Sequence, residues 1–183
     1  STADPLLGSY SGSTIPGTIY ATGSSGALTL FFTSNASSVY SGFAASITCA
    51  TSLPLPDLYI QNSVTLSSSS VVPGASVSAT CYIANQGTNS TTSSNVGYYL
   101  STDSLWDASD TYLNYATGTT LNAGASAYKT STLTIPSSTT PGNYFILYYA
   151  DYSNQVSESN ETNNVNLLAI SVNTPYIDLA IIT

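Results

Sequence analysis

The chain has 183 residues, 42% of them hydrophobic and 5% charged, with nine acidic residues against one basic residue, Lys129, and a net charge of −8. Such a surface repels phosphate backbones and anionic lipid faces, which excludes nucleic acid and acidic membranes as partners. There is no His, and this excludes Ser-His-Asp and Cys-His catalysis together with His-based metal sites.

The 15 Tyr and the aliphatic residues suffice for a core. Ser, Thr and Asn carry solubility, a composition that suits a secreted β-protein. No run approaches the roughly 20 apolar residues of a membrane span. Neither an initiator Met nor a signal peptide is visible. The sequence therefore reads as a processed product or a section of a longer chain.

No helical period runs through it. β-branched and aromatic runs recur at intervals of about 10–15 residues, separated by Gly, Pro, Ser and Asn. The first block, 1–49, is expected to hold strands at 18–21, 27–33 and 42–48. A Pro-rich linker, 50–56, ends in Leu53-Pro-Leu-Pro56. The second block, 57–172, is expected to hold strands at 57–66, 76–85, 96–101, 112–117, 127–135, 144–150 and 165–172. Seven strands at this spacing are the pattern of an immunoglobulin-like sandwich. The tail, 173–183, is a linker plus one more strand. Asp57-Leu-Tyr-Ile60 and Asp178-Leu-Ala-Ile181 match, each after a Pro-containing joint. The tail strand thus either begins a further module or is donated to a neighbour.

Cys49 closes the alternation Phe43, Ala45, Ile47, and Cys81 sits in Val77, Ala79, Cys81, Ile83. Both point inward if the strands alternate. Two buried thiols, a mutual disulfide and a Cys49 partner outside this chain are the three readings.

Residues 57–172 resemble CARDB, the cell-adhesion-related domain of bacterial surface proteins. The resemblance rests on Pro56-Asp-Leu58, Val72-Pro-Gly-Ala-Ser76, Tyr82-Ile-Ala-Asn-Gln-Gly87 and Tyr98-Tyr-Leu-Ser-Thr-Asp103. It continues through Leu121-Asn-Ala-Gly124, Ile135-Pro136, Pro141-Gly-Asn-Tyr144 and the acidic, Asn-rich stretch 151–164. It implies an Ig-like fold and extracellular adhesion or scaffolding, with no catalysis. Residues 6–49 resemble the C-terminal half of a CUB domain, through Leu6-Leu-Gly-Ser-Tyr-Ser-Gly12, Ile15-Pro16, Ala27-Leu-Thr-Leu-Phe-Phe-Thr-Ser34 and Ser41-Gly-Phe43. Where many CUB domains carry a Cys and a calcium-binding Asp, this chain has Ser11 and Asn35. The combination is similar to large secreted proteins of Bacteroidetes. The expected fold is all-β: a seven-stranded CARDB-like Ig sandwich preceded by a partial CUB-like β segment and followed by an extra strand.

Six acidic residues form two clusters, Asp103, Asp107 and Asp110 in one and Asp151, Glu158 and Glu161 in the other. Asn154, Asn160, Asn163 and Asn164 add oxygen donors to the second. Oxygen-only sets suit Ca2+, so each cluster is a candidate calcium site. The competing reading is a solvated loop of Asx turns. In an Ig-like sandwich the 151–164 loop falls at the pole where the first strand starts. The 103–110 loop falls at the opposite pole. The two clusters therefore cannot form one site or the shared cleft of a glycosidase. Each lies at a joint between modules, where a cation or hydrogen bonds would stiffen a string of sandwiches.

Tyr98, Tyr99, Tyr144, Tyr148, Tyr149 and Tyr152 crowd two strands, about half of them inward by alternation. Outward Tyr offers contact area with a polar tip. Trp106, the only Trp, is either a plug over the sandwich end or an exposed contact. Asn35, Asn89 and Asn160 head N-glycosylation triplets. Asp103-Ser104-Leu105 resembles the O-glycosylation acceptor of Bacteroidetes, which makes Ser104 a candidate, with Thr111 after Asp110 as another. The expected function is a non-catalytic structural or adhesive section of an extracellular, cell-surface protein of tandem modules, whose partners are neighbouring modules. One alternative is a filament subunit joined by strand addition through Ile177, Leu179 and Ile181. The other is a module that binds surface glycans.

Overall fold

A computed structural model describes residues 6–14, 16–21, 28–33, 37, 42, 44–46, 48 and 54–176. The chain divides into two compact units, Ser1–Leu53 and Pro54–Thr183. Within the first, the described residues form no strand. The β segment expected there, with strands at 18–21, 27–33 and 42–48, is therefore not found among them. Asn35, Cys49, Ile177, Leu179 and Ile181 lie outside the described residues.

The described residues of the second unit, 54–176, form strands, turns and loops with no helix. Its elements are β1 (Leu58–Ile60), β2 (Thr65–Leu66), β3 (Ser70–Val71), β4 (Ser76–Asn85), β5 (Ser94–Ser101), β6 (Thr111–Thr119), β7 (Ser126–Thr134), β8 (Gly142–Ala150) and β9 (Val165–Val172). β4 pairs with β7 along one edge and with β1 and β2 along the other. The second sheet has the order β3-β9-β8-β5-β6. Two such layers make an Ig-like sandwich, with each inner face supplying alternate residues to the core.

The first strand, expected unbroken over 57–66, is broken in two, and a third piece, β3, follows beyond that span. β1 and β2 lie on β4, and β3 crosses to run parallel to β9. The crossing falls in a run of serines, Ser67 to Ser70. Serines present no apolar face to either sheet, so backbone bonds decide the path. Ser67 donates to the Ser78 carbonyl at 2.8 Å, and Ser171 donates to that of Ser69 at 2.9 Å. Counting β1 to β3 as one interrupted strand restores the seven of the expected fold.

The core lies where alternation puts it. Val77, Ala79, Cys81 and Ile83 of β4 face Val96, Tyr98, Ile146, Tyr148 and Ile170 of the other sheet. Tyr98 and Tyr148 meet edge to face at 5.4 Å. The Tyr148 hydroxyl donates to the Thr65 carbonyl at 2.7 Å, and the Tyr98 hydroxyl lies 3.8 Å from Cys81 Sγ. Cys81 is free, so of the two cysteines it is not in a mutual disulfide. Burial pushes its thiol up to about 11, although the Tyr98 hydroxyl and Lys129 act to lower it. The thiolate is the nucleophile. At pH 8 the Cys81 peptide is therefore expected to resist iodoacetamide in the native protein and to be alkylated fully once urea unfolds it. Alkylation at equal rates in both states, read by peptide mass mapping, would contradict this placement.

Candidate functional site

The pole where β1 begins is built from three segments 28 to 106 residues apart in sequence, bound together by side chains. Asn85, at the end of β4, is the hub. Its Oδ1 accepts the Asp57 and Gly87 N–H groups, each at 3.0 Å, and its Nδ2 donates to the Asn89 and Leu121 carbonyls at 2.7 and 3.1 Å. Gly87 permits the close approach. A Cβ there would lie 2.5 Å from the Leu55 carbonyl oxygen and the Asp57 nitrogen. The chain at 55–57 can therefore pair with the turn, Gln86 donating to Asp57 O at 2.8 Å and Thr88 to Leu55 O at 3.0 Å.

The loop after β8 closes over this hub. Asp151 takes the left-handed conformation at φ 48°, which Asn and Asp tolerate best among residues with a Cβ. It is buried, and its Oδ2 accepts the Val156 N–H at 2.7 Å. Val156 itself is packed into the core and pins the loop. Glu158 is also buried. Its carboxylate accepts the Leu58 N–H, where β1 starts, and the Asn164 amide at 3.1 Å. The Asn163 amide donates to Asp57 Oδ1 at 2.8 Å, Ser159 donates to the Pro56 carbonyl at 2.9 Å, and Glu161 Oε1 accepts the Glu158 N–H at 2.9 Å. Burial pushes the Glu158 carboxyl up to about 7; the Leu58 N–H opposes this, and Glu161 and Asp151 add to it. Burial likewise raises Asp151, against the Val156 and Gln155 N–H groups. The loop is thus a latch across the start of the sandwich. Two of its three acidic residues, Asp151 and Glu158, turn inward, which the sequence does not reveal.

The other acidic loop lies at the opposite pole. β5 pairs with β8 from Val96↔Ala150 to Ser101↔Phe145, so 102–110 and 151–164 leave opposite ends of that pair. Each carboxylate there serves its own loop's backbone. Asp103 accepts the Leu105 N–H at 2.8 Å, Asp107 accepts the Ser109 N–H and hydroxyl, each at 2.6 Å, and Asp110 accepts the Asp107 N–H at 3.0 Å. The Ser109 hydroxyl and N–H hold Asp107 below the usual carboxylate range. These are Asx turns on an exposed loop.

The same loop carries Trp106 back over the outer face of the β5–β8 sheet. Its ring centroid lies 5.0 Å from that of Tyr149 and 6.1 Å from that of Tyr99. Tyr112 stacks on Tyr152 at 5.9 Å and 25°, and Tyr115 flanks Tyr152 at 6.4 Å. Gly97 seats Tyr152: a Cβ there would come 2.6 Å from its ring. Trp106, at 41% exposure, is therefore not a plug over the core but one member of a six-ring outer surface. Alternation anticipates about half of these Tyr inside, and the structure puts Tyr98 and Tyr148 there and Tyr99 and Tyr149 outside. The return of Trp106 onto them depends on a loop path that no periodicity encodes. Ser104, Thr111, Asn89 and Asn160 are all exposed.

No curated protein matches the chain. Among solved structures it is similar to the CARDB domain of a Pyrococcus furiosus protein, solved in complex with di-metal ions, at 24% identity and a TM-score of 0.50, covering 68% of this chain and 100% of that one. It is also similar to a domain of a Methanosarcina acetivorans protein described as a cell-surface protein, at 25% identity and a TM-score of 0.46, covering 64% and 92%. A part of β-glucosidase 3B of Thermotoga neapolitana matches at 12% identity and a TM-score of 0.45, covering 64% of this chain and 16% of that one, a likeness too slight to bear on activity. No helix among the described residues is long and apolar enough to cross a membrane. A model of the CARDB family matches residues 55–167, a span that holds the latched pole and the sandwich from β1 to the start of β9, and the chain belongs to the CARDB family.

Proposed function

We propose that this chain is a non-catalytic structural and adhesive section of a secreted cell-surface protein whose β-sandwich modules stand in series. The observation that carries this is the latched pole. Buried side chains of the 151–164 loop hold the backbone where the sandwich begins, at Pro56, Asp57 and Leu58. A module fixed at its entry transmits force and orientation to its neighbour. The oxygen-rich 151–164 loop makes Ca2+ the fitting ion for such a joint, in keeping with the di-metal complex of the Pyrococcus domain. An antibody raised against the chain is expected to label intact source cells. Labelling only after permeabilisation would overturn this reading.

The aromatic face favours a second reading, contact with surface glycans, because flat rings with polar tips pack against sugar faces. Trp106→Ala, Tyr112→Ala and Tyr115→Ala together are expected to cost at least tenfold in retention on a glycan array. Equal retention of variant and native chain rules the reading out. The filament alternative rests on the alternating segment 176–183, and deletion of that segment tests it by loss of polymers.

A further inference from the structure

The latch leaves a specific set of atoms without partners. Three buried side-chain oxygens have none: Asp151 Oδ1, Asn163 Oδ1 and Asn164 Oδ1. All three belong to one loop. Asp151 and Asn164 are 2% and 3% exposed, so bulk water does not reach them. Leaving such groups unpaired costs about 1–3 kcal/mol each.

The amide orientations are not arbitrary. Asn164 gives its Nδ2 to Glu158, and Asn163 gives its Nδ2 to Asp57. Turning either amide over would set its oxygen against a carboxylate oxygen. While Glu158 is ionised it and Asp57 favour the orientations that leave both amide oxygens free to accept elsewhere. Among the described residues no proton donor serves any of the three acceptors. Nor does the protein supply a cation. Its one basic side chain, Lys129, is committed to the Thr117 carbonyl at 2.7 Å. Asp57, Asp151, Glu158 and Glu161 thus gather with no positive group to offset them.

We propose that Asp151 Oδ1, Asn163 Oδ1 and Asn164 Oδ1 ligate one hard divalent cation, Ca2+, which locks the 151–164 loop onto the start of β1. The inference rests on the reading of this loop as a structural latch. Among the described residues no three acidic or Cys side chains are arranged to hold a metal by themselves. The set here is one carboxylate and two amide carbonyls completed by water, which is a calcium set and a poor one for zinc. Ligands of so little charge place the affinity with extracellular modules, at a Kd of about 0.1–1 mM. The 103–110 loop is left out, because each of its carboxylates already serves local N–H groups.

Terbium luminescence on the full chain tests the site, since Tb3+ replaces Ca2+ and is sensitised by a nearby tyrosine such as Tyr149. The native chain is expected to give saturable emission that Ca2+ displaces and K+ does not. Asp151→Asn keeps the left-handed backbone and an oxygen but removes the charge, and is expected to weaken binding at least tenfold. The triple variant Asp103→Asn, Asp107→Asn, Asp110→Asn is expected to bind as the native chain does. No emission from the native chain, an unchanged titration in Asp151→Asn, or loss in the triple variant overturns the site. In parallel, melting with Ca2+ and with chelator is expected to show a higher Tm with Ca2+. Terbium binding with no change in Tm overturns the latch reading instead and leaves the ligand set standing.

Discussion

Asn85→Ala is expected to lower the unfolding free energy of the sandwich by about 4 kcal/mol, with a matching fall in the urea midpoint at an unchanged slope. Asn85 is 1% exposed and makes four hydrogen bonds, two as acceptor and two as donor. Alanine fills none of these roles. It strands the Asp57 and Gly87 N–H groups and the Asn89 carbonyl, while the Leu121 carbonyl keeps the Thr91 N–H at 2.9 Å. Against a typical domain stability of about 5–15 kcal/mol, the loss is large. Asn85→Asp separates the two halves of the role. It keeps the acceptors but turns a carboxylate oxygen toward two carbonyls, so its cost is expected to grow as pH rises and the group ionises. A cost below about 1 kcal/mol for Asn85→Ala would mean that the hub does not hold the pole.

The contrast between what the residues announce and what the fold adds is clear at this pole. Val77, Ala79, Cys81 and Ile83 alternate in the sequence and line the core in the structure, because a strand with one buried face obeys a period of two. The separation of the acidic loops is equally legible, since it follows from the order of strands alone. The latch is not. Glu158 meets Leu58 across 100 residues, and Asn163 meets Asp57 across 106. No spacing rule links residues that far apart. Asn163 and Asn164 are recognisable as oxygen donors, but which way each amide turns depends on carboxylates delivered by another segment. The break in the first strand is hidden for a related reason. Four consecutive serines carry no periodicity, so the switch between sheets is set by backbone bonds to Ser78 and Ser171.

Gly118→Ala is expected to be as damaging as the loss of Asn85, by the opposite mechanism. Gly118 lies in β6 beside the irregular start of the β5–β6 ladder, where the register shifts between Ser94 and Val96. A Cβ at this position would fall 1.3 Å from the Ser94 carbonyl oxygen and 2.0 Å from its carbon. The obstacle is backbone, so no rotamer change relieves it. Either β6 moves off β5 or Ser94 leaves its place, and both are anchored. Ser94 is 2% exposed, and the Gly118 N–H donates to Asn95 Oδ1 at 2.7 Å. Overpacking against side chains costs about 1–3 kcal/mol; against a fixed carbonyl about 3 kcal/mol or more is expected. β6 is the edge strand of its sheet, and it carries Tyr112 and Tyr115 of the aromatic face. Displacing it should therefore disturb that surface as well as stability. The measurement is paired: urea unfolding for the free energy, and hydrogen exchange for the place. The Gly118 amide and its β6 neighbours on the β5 ladder should lose protection first, while the β8–β9 ladder keeps its own until global unfolding. Uniform loss of protection across both sheets would show instead that β6 and the sandwich unfold as one unit, and that the edge strand is part of the cooperative core.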